Sequence, residues 1–167
     1  MWVLTLLPFA LQAVAIGIDE VWFHRRRGLP LWERIGHPID TFTVVLCLGY
    51  ILIIPYSKQA IIPYCLLAVI SSLMVTKDEF VHKEHCPATE QWLHAILFIL
   101  HPITLLSAAL IWPAAEGIEI ASWFAPWVEQ REFFHVFLMV QFSAMTVFMT
   151  YQIVYWNFIW KERDDQQ

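Results

Sequence analysis

Apolar residues arrive along this chain in long blocks rather than in alternation. The blocks fall at roughly 2–24, 38–56, 59–82, 90–112 and 132–158, each near the roughly 20 residues that a helix needs to cross hydrocarbon. They predict an all-α, polytopic membrane protein with about five transmembrane helices. Pro55 and Pro113 are expected to end the second and fourth helices, and Pro30, Pro38 and Pro87 to mark entry turns at the opposite ends. The segment GIEIASWFAPWVEQ, 117–130, is too short and too acidic to cross, and its Trp123 and Trp127 suit an interfacial helix or re-entrant loop. The opening block lacks a basic n-region and a cleavage pattern, so it is read as a helix. The expected organisation is a single transmembrane domain over 1–160 with a short cytoplasmic tail, 161–167.

The polar residues that interrupt these blocks are not scattered. Each of the first four helices carries a carboxylate and a histidine one turn apart at the same end: Glu20 and His24, His37 and Asp40, Glu79 and His82, Glu90 and His94. Residues three or four apart share a helix face, so every pair can point into one bundle core. His85 adjoins the third pair, and His101 lies two turns deeper on the fourth helix. Inward lines are expected through Ala13, Gly17, Glu20 and His24, through Cys65, Ala68, Ser72 and Glu79, and through Glu90, His94, Leu97 and His101. Small residues on such lines let helices approach closely in lipid. Asp19, Glu33 and Glu84 are left as interfacial charges for Arg25–Arg27, Arg34 or Lys83, and His135 beside Glu132 as an outer-face pair. On the fifth helix Tyr151 and Tyr155 reach the same end, as hydrogen-bonding partners to a ligand, while Trp156 and Trp160 read as an aromatic belt.

Composition agrees with this picture. The chain is 59% apolar and only 15% charged, against about 25% charged for a soluble domain. Its net charge of −5 and its lack of a basic stripe interleaved with aromatics exclude nucleic acid as a partner. Arg25, Arg26, Arg27, Arg34, Lys77, Lys83, Lys161 and Arg163 fall on one face of the threaded helices, and only Lys58 and Arg131 on the other. The positive-inside rule then puts the N-terminus outside and the C-terminus in the cytoplasm, in a bacterial inner membrane or its equivalent, with the histidines near the cytoplasmic face. Cys47 and Cys65 read as packing residues and Cys86 as a helix-end thiol before Pro87; no disulfide framework is indicated.

Ionisable groups next to hydrocarbon are costly unless neutralised. A cation among Glu20, His24, His37, Asp40, Glu79, His82, His85, Glu90, His94 and His101 would do this, since it balances carboxylates and keeps imidazoles neutral. That inventory exceeds one tetrahedral ion, so two divalent ions are expected, and nitrogen and oxygen donors without clustered thiolates favour Fe, with Zn or Mn as alternatives. A helix bundle that uses Glu and Glu-x-x-His is a related solution, and EFVH (79–82) has that spacing.

This gathering of histidines at helix ends resembles the membrane-embedded di-iron desaturases and hydroxylases. Those proteins use H-x-x-x-H and H-x-x-H-H boxes, and HKEH (82–85) is the nearest approach to one. The resemblance implies an oxidoreductase that acts with O₂ on a lipid or other apolar substrate and draws on an electron donor. The competing readings are a zinc-dependent membrane hydrolase, a b-type haem protein, and a non-enzymatic metal sensor or transporter.

Overall fold

A computed structural model describes residues 2–77, 86–128 and 130–160. Helix α1 runs Trp2–Arg27, α2 Leu31–Ile53, α3 Ile61–Met74, α4 Ala88–Ala115, α5 Ala125–Val128 and α6 Arg131–Ile159, with no strand among the described residues. Four of these, α1, α2, α4 and α6, are long and apolar enough to cross a membrane. The third expected span, 59–82, is described as a helix only over Ile61–Met74, and residues 78–85 lie outside the described ones. In the expected interfacial segment, α5 is a single turn between an exposed Trp123 and a buried Val128.

Two boundaries differ from the sequence reading. The connection expected over 25–37 shrinks to Gly28, Leu29 and Pro30, because Arg25–Arg27 continue α1 and Leu31 already starts α2. Pro38, expected at an entry turn, lies inside α2, and the extended Pro30 stands before its first residue instead. Proline removes a backbone donor, but among packed helices at membrane depth such interruptions are tolerated. Pro102 and Pro113 are likewise inside α4.

Packing runs α2 along α6, α1 along α4, and α3 against α2 and α4, while α4 also meets α6. Away from the histidines the core is apolar: Cys47, Leu48, Ile51, Tyr64, Ala108, Ile111, Trp112 and Phe134 are all nearly inaccessible. Small residues at Cys47, Ala108, Ala114 and Ala115 give the close approach that lipid-phase packing requires. The buried polar ends are matched locally. Tyr64 Oη donates to the Leu105 carbonyl at 2.7 Å, and Glu116 accepts from Trp112 Nε1 and the Tyr56 amide.

The outside of the bundle is apolar as well. Ile53, Ile62, Ile99 and Val147 are each more than 60% exposed, whereas Asp19, Glu20, Glu33 and Glu90 are buried. Water as the only solvent would select the reverse; the arrangement is compatible with an integral membrane protein. The inward lines on α1 and α3 are shifted by one residue from expectation. Gln12, Ala15 and Asp19 are buried on α1 while Ala13 and Gly17 are exposed, and on α3 Tyr64 and Ser71 are buried rather than Cys65 and Ser72.

Gly28 makes the tight turn between α1 and α2 possible. Its φ of 79° and ψ of 163° belong to a region essentially restricted to glycine, and an added Cβ would sit 2.6 Å from the Trp160 ring. Gly17 has open space around the same position. Gly28→Ala is therefore expected to lower stability by about 1–3 kcal/mol, while Gly17→Ala is neutral or raises it by up to about 1 kcal/mol. Reversible unfolding of both variants in mixed micelles checks the contrast; equal effects would remove Gly28 from this role.

Candidate metal centre

The centre begins with a local irregularity in α1. Over Asp19–His24 the backbone bonds from i to i+5 in a widened turn, a feature that recurs at functional sites. In a regular helix a residue and its fifth successor are about 140° apart; the wider turn brings both Asp19 and Glu20 onto His24. His24 Nδ1 lies 3.2 Å from Glu20 Oε2, and its Nε2 lies 3.2 Å from Asp19 Oδ2.

Helix α4 supplies the other half. Glu90 and His94 are one turn apart and buried. His94 Nε2 is 3.2 Å from Asp19 Oδ1, and His24 Nε2 is 3.9 Å from Glu90 Oε1. The two Asp19 oxygens thus face two different imidazoles. One donor atom from each of Asp19, His24, Glu90 and His94 lies within 4.8 Å of all the others. A second group, His24, Glu33 and His37, meets the same distance and shares His24 with the first. The His24 and His37 rings stack with centroids 4.9 Å apart.

Asp19, Glu20, Glu33 and Glu90 are 6% exposed or less. Their described cation is Arg27, whose Nη2 contacts Glu33 at 2.9 and 3.1 Å and Glu90 Oε1 at 2.8 Å. Arg27 thus answers Glu33 and Glu90, while Asp19 and Glu20 meet His24 and His94. Two atoms there, His24 Nε2 and Glu90 Oε2, are buried with no hydrogen bond. An ion between them would satisfy both.

The surroundings of Glu20 fit the same purpose. Its Oε1 accepts from Tyr151 Oη at 2.5 Å and Trp156 Nε1 at 3.0 Å, which leaves Oε2 for His24 Nδ1. A carboxylate behind an imidazole fixes the tautomer and turns the far nitrogen, here Nε2, toward a metal. The donor set could therefore hold a metal ion. Its spread of up to 4.8 Å exceeds the about 3.4 Å edge of a tetrahedron with ~2.1 Å bonds, so the side chains must contract, or water must share the shell.

The residues expected from sequence fall into three groups. His24, Glu90 and His94 come together, with His37 stacked beside them. Glu20, Asp40 and His101 do other work: Glu20 orients His24, both Asp40 oxygens are 2.7 Å from Lys77 Nζ, and His101 bonds Gln12 and Ser71. Glu79, His82 and His85 lie outside the described residues. Tyr151 reaches Glu20, whereas Tyr155 stacks on the Tyr151 ring at 5.2 Å.

Three expectations are corrected. Asp19 and Glu33, assigned to the interface, are buried in the two groups, although Glu33 does pair with Arg27. Trp156, assigned to an aromatic belt, is 1% exposed and bonds Glu20. Asp19 was hidden because an i, i+5 pair carries no signal under regular helical spacing. Cys86 lies outside both groups of candidate ligands; burial pushes its thiol up to about 12, and a hydrogen bond with Glu90 adds to the rise. For a b-type haem, His24 and His94 do not offer an open pair of axial nitrogens, since the Asp19 carboxylate contacts Nε2 of both.

Beside the ligating residues lies a cavity of about 110 Å³, lined by Asp19, His24, His37 and His94 on one side and by Ile16, Val44, Leu97, Phe98, Met145 and Phe148 on the other. Comparison of the chain with protein-family models, curated proteins and solved structures finds no match. The site's own geometry therefore carries the functional reading.

Arg27→Met leaves Glu33 and Glu90 buried without that cation and is expected to cost about 3–5 kcal/mol. Lys77→Met, at the more open pair with Asp40, should cost about 1 kcal/mol or less. Unfolding midpoints of the two variants in mixed micelles measure the difference, and a null effect of Arg27→Met would show that its contacts are not the ones that matter.

Proposed function

We propose that this protein is a membrane metalloenzyme that holds a divalent ion, iron in preference to manganese or zinc, between Asp19, His24, Glu90 and His94 and oxidises an apolar molecule bound in the adjoining cavity. The observation that carries the reading is the convergence of two imidazole nitrogens and two carboxylates, with orphaned His24 Nε2 and Glu90 Oε2 among them. Mixed nitrogen and oxygen donors without thiolate suit iron and manganese as well as zinc. One ion is favoured over the pair expected from sequence, because the second group borrows His24 from the first.

Such an ion supplies O₂ activation when it has open coordination positions and bulk water is excluded. The chain's part is to hold Asp19 between two imidazoles, to orient His24 through Glu20, and to offer hydrocarbon walls at Ile16, Val44 and Phe98 beside them. Hydrolysis by zinc is less well supported. It needs a carboxylate to serve as base, but among the described residues Glu20 is bonded to three groups, Asp40 to Lys77 and Glu33 to Arg27. A transporter or sensor leaves the apolar cavity without a use.

The described basic residues Arg25, Arg26, Arg27, Arg34 and Lys77 share the end of the bundle that carries the centre. This supports a cytoplasmic position for the centre, with the N-terminus outside, and a place for an acidic electron donor to dock.

The test is metal content per chain on protein purified from cells supplied with iron. One iron per chain is expected. Asp19→Ala and His94→Ala should lose it, Glu20→Gln should weaken affinity by about 10–100-fold, and Asp40→Asn should retain it. Full occupancy in the first two variants would refute the site. Stoichiometric zinc, with no O₂ uptake on adding reductant, would refute the redox chemistry alone.

A further inference from the structure

Seven residues before Asp19 on α1 stands Gln12, and seven residues after His94 on α4 stands His101. Each step is two turns, about 10 Å, so the two form a second buried polar layer inside the apolar half of the bundle. Gln12 and His101 are 8% and 4% exposed, and both line the cavity beside the metal centre. They also line a smaller adjoining cavity of about 50 Å³ that reaches Phe9, Leu105 and Ala108.

The hydrogen bonds of this layer admit one direction only. Thr43 Oγ1 donates its single proton to the Asp40 carbonyl at 2.7 Å, so the 2.7 Å bond between Thr43 and Ser71 uses the Ser71 proton. Ser71 must then accept from His101 Nε2–H at 2.9 Å. Both bonds of His101 are to neutral side chains, with no carboxylate to stabilise an imidazolium, and a neutral ring protonated at Nε2 has an acceptor at Nδ1. Gln12 therefore donates Nε2–H to His101 Nδ1, at 3.3 Å. The count ends on Gln12 Oε1, which is buried with no hydrogen-bond partner. A buried amide oxygen without a partner is destabilising. Gln12 lines both cavities, so with Nε2 held on His101 its oxygen is the hydrogen-bonding atom it has left to offer there.

We propose that the two cavities form one binding site for a small apolar molecule bearing a hydrogen-bond donor, an alcohol O–H or an amide N–H, with its hydrocarbon against Ile16, Val44 and Met145 and its donor on Gln12 Oε1. Apolar cavities of about 150 Å³ hold a benzene-sized molecule, so about six carbons, or the end of a longer chain, fit here. The chemical class follows from the lining: beyond the histidines of the metal centre the walls are mostly hydrocarbon, and the buried polar atom there with no hydrogen bond, Gln12 Oε1, is an acceptor. This deepens the reading of the metal centre by naming its substrate class, but binding itself requires no ion.

The test compares hexan-1-ol with 1-methoxypentane, an ether of the same heavy-atom count that lacks the donor. Both are titrated against the full chain in lipid nanodiscs by saturation-transfer NMR, with empty nanodiscs subtracted. The alcohol is expected to bind about tenfold more tightly, and Gln12→Met to abolish that preference while the ether's affinity is kept. The wild-type comparison stands without any variant, should Gln12→Met fold poorly. Equal binding of the two probes overturns the proposal and leaves Gln12 Oε1 to water. Absence of saturable binding overturns it too, as does a preference that survives Gln12→Met. Repeating the titration after EDTA treatment separates the two readings: a preference retained in protein that never carries metal refutes the metal centre and leaves this site intact.

Discussion

Negative charge buried at one end of an apolar bundle is the constraint around which that end is organised. Four carboxylates, Asp19, Glu20, Glu33 and Glu90, are withdrawn from solvent where α1, α2 and α4 meet. Desolvating an unpaired carboxylate costs several kcal/mol even after relaxation, so each must be answered by a cation or by donors. Glu20 is answered by donors, from Tyr151, Trp156 and His24. Glu33 is answered by Arg27, which also reaches Glu90. Asp19 faces two imidazoles. Protonation of those rings would let His24 Nε2 donate to Asp19, and a bound divalent ion would in addition answer Oε2 of Glu90.

The backbone bends to that requirement. The widened turn over Asp19–His24 forgoes regular helical bonding for six residues, and it is what lets two consecutive carboxylates address one histidine from its two nitrogens. A second widened turn closes α6 over Tyr155–Ile159, next to the residues that bond Glu20. Just below, Gly28 turns the chain in a conformation closed to other residues so that Glu33 returns under Arg27 within six positions. The local irregularities cluster where the charge is, and the regular helical stretches lie where the core is apolar.

Much of this was legible in the sequence because hydrophobic blocks and one-turn spacings are direct consequences of helix geometry. The Glu90–His94 pair and the inward line to His101 follow from α4 being regular there. Part of what was illegible on α1 has one cause: spacing rules assume a uniform helix. On α1 the widened turn shifts the inward line from Ala13 and Gly17 to Gln12 and Ala15, and it exchanges Glu20 for Asp19 as the residue between the histidines. Asp40 looked equivalent to Glu20 by spacing. Its partner Lys77, in the turn after α3, could be known only from packing. Trp156 shows the same limit, since an aromatic residue at a helix end has the composition of a belt whether it faces lipid or a buried carboxylate.

Polarity falls in steps along the bundle axis, and the steps bound a cavity in an otherwise close-packed fold. At the charged layer Asp19, His24 and His94 line the cavity on one side and Ile16, Leu97 and Phe98 on the other. Two turns deeper, Gln12, His101, Ser71 and Thr43 are linked in a row of hydrogen bonds that ties the helices together. Beyond them Ala108, Ile111 and Trp112 pack without measurable exposure. A cavity bounded by a charged layer, a neutral polar layer and hydrocarbon side walls is polar at its ends and apolar along its length. That profile matches an amphiphile's, and it arises from the same two polar layers whose seven-residue spacing on α1 and α4 is written in the sequence.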